Sequence, residues 1–591
     1  MTKRDCPPRE RGLFDMRANP STRLRAHTPG ALLCLTLLCS LGSVRGARAD
    51  GEQLMPGGTA AIGRGGAVAA RPTDNMAMLH NPAGLVDLPG NQVLLNLDTA
   101  FDDVCVQRYG YYGWGIYLTE DREGNTNNPD DHRSEFGDPS GNYGLRHLDR
   151  VCNSGPVGPL PQLAFSFHVT PRFSLAFGFV ANVFMGGAQW GGKDGTIQTP
   201  EGPRPTPTRY EYIRSEAIGI NPTASAAYKL SSWLSVGMTL QVLMGSADVY
   251  QVLALRAGTS PANDMLAKEH AVDLFMPALT FAAYLKPTRK LRLAGTFNWS
   301  DGLDGHGDIT FTTNYFHKGA VGNESLPLQN DPVKLSRVRV GQPWTATLAA
   351  RYAQPRAAES TDNDPIKDEL WDVEVDASYV ANESGGGRSR VEVANDFTLE
   401  FRRADGTPQM PLQVKQSDIE EINLERHTKD LWIVRLGGSV NILPNRLSVS
   451  AGTFYQTRSS DPSYASISDF GFKRLGLGLG VTVRVGKFDL MAAYSHIFQE
   501  TITVAPPRHE PRASATDAPD SGFDTRIFRA GRLSTEPTPD PAAPSPREAD
   551  GVAKLTQGAV FESDSVRRRV VNAGRYTASF DLVSVGAVYH F

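Results

Sequence analysis

Between residues 92 and 101, and repeatedly after that, apolar side chains recur at every second position, which is the period of a strand with two different faces. Val93, Leu95, Leu97, Thr99 and Phe101 alternate with Leu94, Asn96, Asp98 and Ala100. From 234 onward, Leu234, Val236, Met238, Leu240, Val242 and Met244 alternate with Ser235, Gly237, Thr239, Gln241, Leu243 and Gly245. The sharpest case is Leu475, Leu477, Leu479, Val481, Val483 and Val485 against Gly476, Gly478, Gly480, Thr482, Arg484 and Gly486. Six aliphatic positions opposite a face of glycines and one arginine suit lipid outside and a crowded, partly wet lumen inside. A water-soluble sandwich would show the same alternation with the greasy face turned inward, so alternation alone leaves both open.

Connection lengths separate them. The pattern predicts fourteen strands, near 92–101, 161–169, 172–184, 214–230, 233–247, 270–285, 290–300, 333–353, 370–381, 428–443, 446–456, 471–485, 488–503 and 574–591. Tight turns at Thr170-Pro171, Ser231-Ser232, Lys286 to Arg289, Pro444-Asn445 and Gly486-Lys487 alternate with long connections over 102–160, 185–213, 248–269, 301–332, 382–427 and 504–573. Only the acidic stretch Gln354 to Glu369 interrupts the short side. Short turns at one end and long loops at the other predict an all-β, antiparallel transmembrane barrel with both strand-bearing ends on the short-turn side. The last strand carries Val583, Val585, Ala587, Tyr589 and the terminal Phe591 on one face. An aromatic final residue with this alternation reads as the assembly signal of a closing strand, and closing on the first strand would abolish both sheet edges.

Composition then adjusts the picture. A mean hydropathy of −0.31 looks soluble, but barrels share that value because half of each strand faces the lumen. Residues 1–49 contain a basic start, the apolar run Ala31 to Leu41 and Ala47-Arg48-Ala49, which predicts a secretory signal cleaved after Ala49. Cys6, Cys34 and Cys39 would leave with it, while Cys105 and Cys152 flank one long polar segment and predict a disulfide in an oxidising compartment. The chain carries a formal charge of −4 and the signal is net basic, so the exported part is acidic, against nucleic-acid binding. No metalloprotease helix, nucleophile elbow or phosphate loop is present in the exported part, so no catalytic residue, cofactor or metal is expected. Asp301, Asp304 and Asp308 with His306 read as a solvated glycine turn before they read as a calcium loop.

Gly57 to Leu88 is neither a good strand nor a good amphipathic helix. Its glycines, among them Gly63 and Gly65, and its alanines suit a compact segment packed inside something, with Arg64 in an inward ion pair or, less directly, facing a ligand carboxylate. Asn81-Pro82-Ala83 reads as a turn, with Pro82 fixing φ and Asn81 bonding its own backbone. The order GRGGAVAA, NPAGL and then a strand resembles the amino-terminal hatch of FadL-type transporters, the outer-membrane channels for long-chain fatty acids and other hydrophobic compounds. The stretches AAYKLSSWLSVGMTLQV, LRLAGTFNWSDGLDGHGDITF, WIVRLGGSVNILPNRLSVSAGTFYQT and NAGRYTASFDLVSVGAVYHF extend the resemblance along the strands; 110–156 and 506–558 show none.

The resemblance implies a 50–91 hatch inside a 92–591 barrel in a Gram-negative outer membrane, gated by Gly63, Arg64, Gly65, Asn81, Pro82 and Ala83. It also implies passive uptake of a hydrophobic ligand, with lateral release through a kinked third strand. Gly178 is the candidate kink, with Gly186 and Gly187 as competitors. The implied partners are the ligand, outer-membrane lipid with lipopolysaccharide, and the barrel assembly machinery. A surface binding or adhesion barrel acting through its long loops is the competing reading. A lipid hydrolase would need a Ser or His constellation that the sequence does not display.

Overall fold

The computed structural model describes residues 55–108, 149–155, 159–180, 187–199, 202–254, 264–316, 327–357, 364–504 and 574–591, excepting 210, 212, 314, 386–387, 403–406, 409–410, 415, 417–421, 426–427, 461, 463–464, 466 and 468–470. The expected signal, the core of the 102–160 loop and most of 504–573 lie outside the described residues.

Fourteen antiparallel wall strands close on themselves. They are β1 (Gln92–Arg108), β2 (Pro159–Thr170), β3 (Phe173–Phe179), β4 (Arg214–Ile220, then Pro222–Lys229), β5 (Leu234–Ala254), β6 (Asp264–Leu285) and β7 (Leu291–Ser300, then Leu303–Thr313). They continue with β8 (Val333–Val340, then Trp344–Pro355), β9 (Glu369–Ala381, then Arg388–Val393), β10 (Ile422–Glu425, then Leu431–Leu443), β11 (Leu447–Gln456), β12 (Arg474–Val485), β13 (Phe488–Gln499, then Ile502–Val504) and β14 (Gly574–His590). Closure is made by β1 on β14, in register from Gln92↔His590 to Arg108↔Gly574.

The alternation faces as expected. Leu475, Leu477, Leu479, Val481, Val483 and Val485 all point outward and are 36–62% exposed, which in a water-soluble protein would be a large apolar liability and here is a lipid-facing band. Inside, Leu94, Asn96 and Asp98 are buried. Aromatic rows rim the band. Near the short-turn end Phe167 meets Phe591, Phe591 meets Tyr589, and Tyr589 meets Phe488, so the predicted closing-strand aromatics sit in this row. At the other edge Phe297, Trp344, Tyr379 and Trp432 follow one another at centroid spacings of 5.6, 5.5 and 5.1 Å.

The strands outrun the sequence expectation on the long-loop side. β1 continues seven residues beyond 101, and 248–254, 264–269, 303–313, 388–393 and 422–425 are strand where loop is expected. Beyond the apolar band the outward positions turn polar, as at Asp103, Lys268 and Lys334, so the period-two signal fades although the ladder continues. On the short side, 356–368 departs from a tight turn as expected, and includes the helical turn Pro365–Asp368. Cys105 and Cys152 are cross-strand partners joined by a disulfide.

Candidate functional site

Residues 55–91 run inside the wall. Two short helices, α1 (Thr59–Gly63) and α2 (Ala77–His80), are followed by a 3-10 turn at Pro82–Asp87, and nearly every residue from Met55 to Leu88 is buried. Elements this short cannot hold themselves together in water. The wall holds them on several sides.

At the closing seam, the Gly58 amide donates to Asp98 Oδ2 at 2.8 Å, and the Thr59 hydroxyl bonds Ser584 Oγ of β14 at 2.7 Å. On the β5 side, Ser235 and Thr239 donate to the carbonyls of Ala83 and Met78 at 2.8 and 2.7 Å. Near the short-turn end Asp87 receives Lys229 and Lys286 at 2.9 and 2.8 Å.

The densest attachment is to β9, whose inward positions are Asp372, Glu374, Asp376 and Ser378. Arg64, only 1% exposed, donates to Asp372 Oδ1 at 2.7 Å, to Glu374 Oε2 at 3.2 Å and to Ser439 Oγ. Arg71 and Arg351 both reach the other oxygen of Asp372, at 2.7 and 2.8 Å. One buried carboxylate therefore serves three arginines. Asp376 and Glu374 also accept the amides of Val68, Ala69 and Ala70, at 3.2, 3.2 and 2.6 Å, which satisfies backbone that has no ladder of its own.

Shape does the rest. Gly65 has φ +63°, and a Cβ there would lie 2.4 Å from the Thr453 backbone nitrogen. The wall mirrors this: a Cβ on Gly452 would lie 2.0 Å from the Arg64 carbonyl oxygen. A Cβ on Gly63 would come 2.8 Å from the Gly480 Cα. Gly478 and Gly480 of β12 are thus a seat for α1, while Gly476 makes room for the Phe454 ring.

Asn81 differs from the sequence expectation. Its side chain makes no cap bond and instead donates to the Ala69 carbonyl at 2.7 Å, tying the two arms of the inner segment together; Pro82 opens the 3-10 turn and Ala83 is fully buried. His80 joins the arms a second time, Nε2 to the Gly57 carbonyl at 2.9 Å. Burial pushes its imidazole down to about 4, so the ring is neutral and donates this proton. Gly178 pairs in register with Ala164 on one side and Thr223 on the other; β3 ends at Phe179, and 181–186, including Gly186, lie outside the described residues. Asp304 and Asp308 face Arg337 and Lys334.

Burial of Asp74 pushes its carboxyl up to about 6, opposed by the Met76 amide that it accepts at 2.8 Å. An acid whose folded pKa exceeds its unfolded one stabilises the fold below pH 4 and loses that contribution as pH rises through 6. Asp74→Asn keeps the acceptor and removes the charge. The variant is expected to unfold later than the parent at pH 7.5, by at most about 3 kcal/mol for a shift of about two units. The gain should disappear below pH 4, as read by denaturant titration of the refolded barrel at each pH.

Above the inner segment lies a cavity of 370 Å3, bounded below by Val68, Ala69, Leu79 and His80. Its lining is mixed: Asp376, Ser378 and Arg435 stand together, and Gln241, Thr280, Thr296, Asn298 and Gln456 add further polar groups. Arg435 is 7% exposed and bonds Ser378 Oγ at 2.6 Å through one nitrogen. Arg64 does not border this cavity; the arginine that faces it is Arg435, which the sequence reading missed although it lies on an inward position of a predicted strand.

The barrel superposes on a FadL homologue from Pseudomonas aeruginosa with a TM-score of 0.55 at 14% identity, covering 91% of this chain and 99% of that one. The chain has the FadL fold. The Pseudomonas putida toluene transporter TodX gives a TM-score of 0.51 at 14% identity, over 92% of this chain and 100% of that one. No family model matches the sequence, and no curated protein matches it by sequence. At such identities the FadL-type fold is carried by the strand count, closure and inward–outward alternation rather than by shared residues.

Proposed function

We propose that this protein is an outer-membrane channel for hydrophobic small molecules, with long-chain fatty acids as the first candidate substrate and residues 55–91 as its hatch. One observation carries the reading: a cavity between the buried segment and the wall, with Leu79, Leu243, Met276 and Leu279 as apolar lining, uncharged polar side chains such as Gln241, Thr280 and Asn298 beside them, and one arginine, Arg435, next to Asp376. Apolar surface with a few placed polar groups binds an amphipathic molecule in a defined orientation, and a guanidinium suits a carboxylate. The structural neighbours, a FadL homologue and a toluene transporter, support the hydrophobic class. In this reading the long loops face outward, the short turns face the periplasm, and the protein reaches its membrane through the barrel assembly machinery to sit among lipopolysaccharide. Lateral release beside β3, beyond Phe179, belongs to the same reading and rests on the family resemblance.

Labelled oleate uptake by cells lacking their own fatty-acid channel tests it. The intact protein is expected to restore uptake, and Arg435→Ala to reduce it about tenfold, the scale of one charge-assisted hydrogen bond. Arg435→Lys should recover part of it, and toluene uptake should be insensitive to both changes. Correct membrane insertion with no uptake of either probe would end the channel reading.

A further inference from the structure

The wall carries a crease, and the cavity lies along it. β4 pauses at Asn221. The β5–β6 register shifts between Leu243↔Met276 and Gly245↔Asp273, leaving Leu274 and Phe275 bulged outward at 65% and 67% exposure. β7 and β8 pair up to Asn298↔Thr345 and resume at Leu303↔Val340. β8 and β9 pair up to Trp344↔Ala381 and resume at Val340↔Ser389. β9 and β10 stop at Val380↔Leu431 and resume at Arg388↔Glu425. Each interruption faces the next, so one line crosses seven neighbouring strands just beyond the upper aromatic row. On the opposite wall, β1 and β14 pass the same level without a shift.

Two further facts make this line more than a set of bulges. The ends of β6 to β9 beyond it share an apolar core of their own, in which Met265, Ile309, Phe311, Leu335 and Val391 pack with Leu399 of the paired strands Phe397–Leu399 and Leu412–Val414. That core can stay intact while the line bends. The cavity is bordered by crease residues from strand after strand: Asn221, Leu243, Met276, Gly302, Pro343 and Leu431. Gly302 sits at φ +77°, where a Cβ would come 2.4 Å from the Val340 carbonyl oxygen, so the backbone turns there at a residue suited to turning.

The geometry points to a hinged leaf: the distal ends of β6 to β9, with the paired strands Phe397–Leu399 and Leu412–Val414, swing about this crease and open or cover the 370 Å3 cavity. Deformation concentrates where ladder bonds are missing and a separately packed unit lies beyond them. The proposal rests on the cavity being the ligand site, but its test does not. Spin labels at Lys334→Cys on the leaf and Arg575→Cys on β14 of the opposite wall, both exposed, report the leaf distance by pulsed electron resonance. Arg575→Cys with Val169→Cys is the control pair, in the wall where β1 and β14 run without a shift.

The leaf pair is expected to give a broad or two-peaked distribution in the ligand-free barrel, and to shift by several ångströms toward one peak with saturating oleate, while the control stays narrow. A two-peaked leaf distribution that oleate leaves unchanged supports the hinge and counts against oleate as the ligand. A leaf distribution as narrow as the control, with and without oleate, overturns the hinge and leaves the channel reading untouched.

Discussion

Asp372→Ala is expected to release the inner segment from the wall while the barrel itself remains closed. Asp372 is 1% exposed at its side chain and is shared by Arg64, Arg71 and Arg351. Removing it leaves three cations beside one another in a buried space with only Glu374 and Glu369 to compensate. Breaking a buried pair by deleting one partner costs about 3–5 kcal/mol, because the remaining charge is stranded. This loss falls on a segment with no regular structure of its own, and so on its docking rather than on the β1–β14 ladder. In planar bilayers the parent should be nearly silent and Asp372→Ala should show frequent large openings. Asp372→Asn should lie between. Parent-like silence in the alanine variant would mean that the remaining attachments suffice.

Gly452→Val should have an equally large effect by a different route. Its first side-chain atom would have to occupy a point 2.0 Å from the Arg64 carbonyl oxygen and 2.1 Å from its carbonyl carbon, so the segment must move before any valine rotamer is considered. No charge is altered, and β11 tolerates valine as a strand residue. The variant should therefore insert and retain heat-resistant migration on gels, yet become accessible to a protease within 55–91, where the parent is protected. Protection equal to the parent would show that the wall yields instead of the segment.

How much of this was legible depends on what sets each feature. Strand number and facing were readable because lipid forces every outward position from Leu475 to Val485 to be apolar, a constraint repeated along the chain. Strand ends were not, because beyond the band both faces become polar and the ladder is held by backbone bonds that leave no compositional trace. The β12 glycines were read correctly as an inward face of small residues, but what they accommodate could only be seen once α1 lay against them. The acids of β9 alternate as Asp372, Glu374 and Asp376 inside a strand that the pattern predicts, so their inward direction was available; their partners, 301 to 310 residues away, were not. Arg435 lacked any local mark that would separate it from Arg484, which faces inward too but is spent on Asp489 and Asp364.

The bond between Thr59 and Ser584 joins residues 525 positions apart. One end belongs to the first elements of the inner segment and the other to the strand that shuts the wall. On that side the Gly58 amide holds Asp98 of β1 and the Thr59 hydroxyl holds Ser584 of β14, so the attachment is complete only when the two edge strands meet.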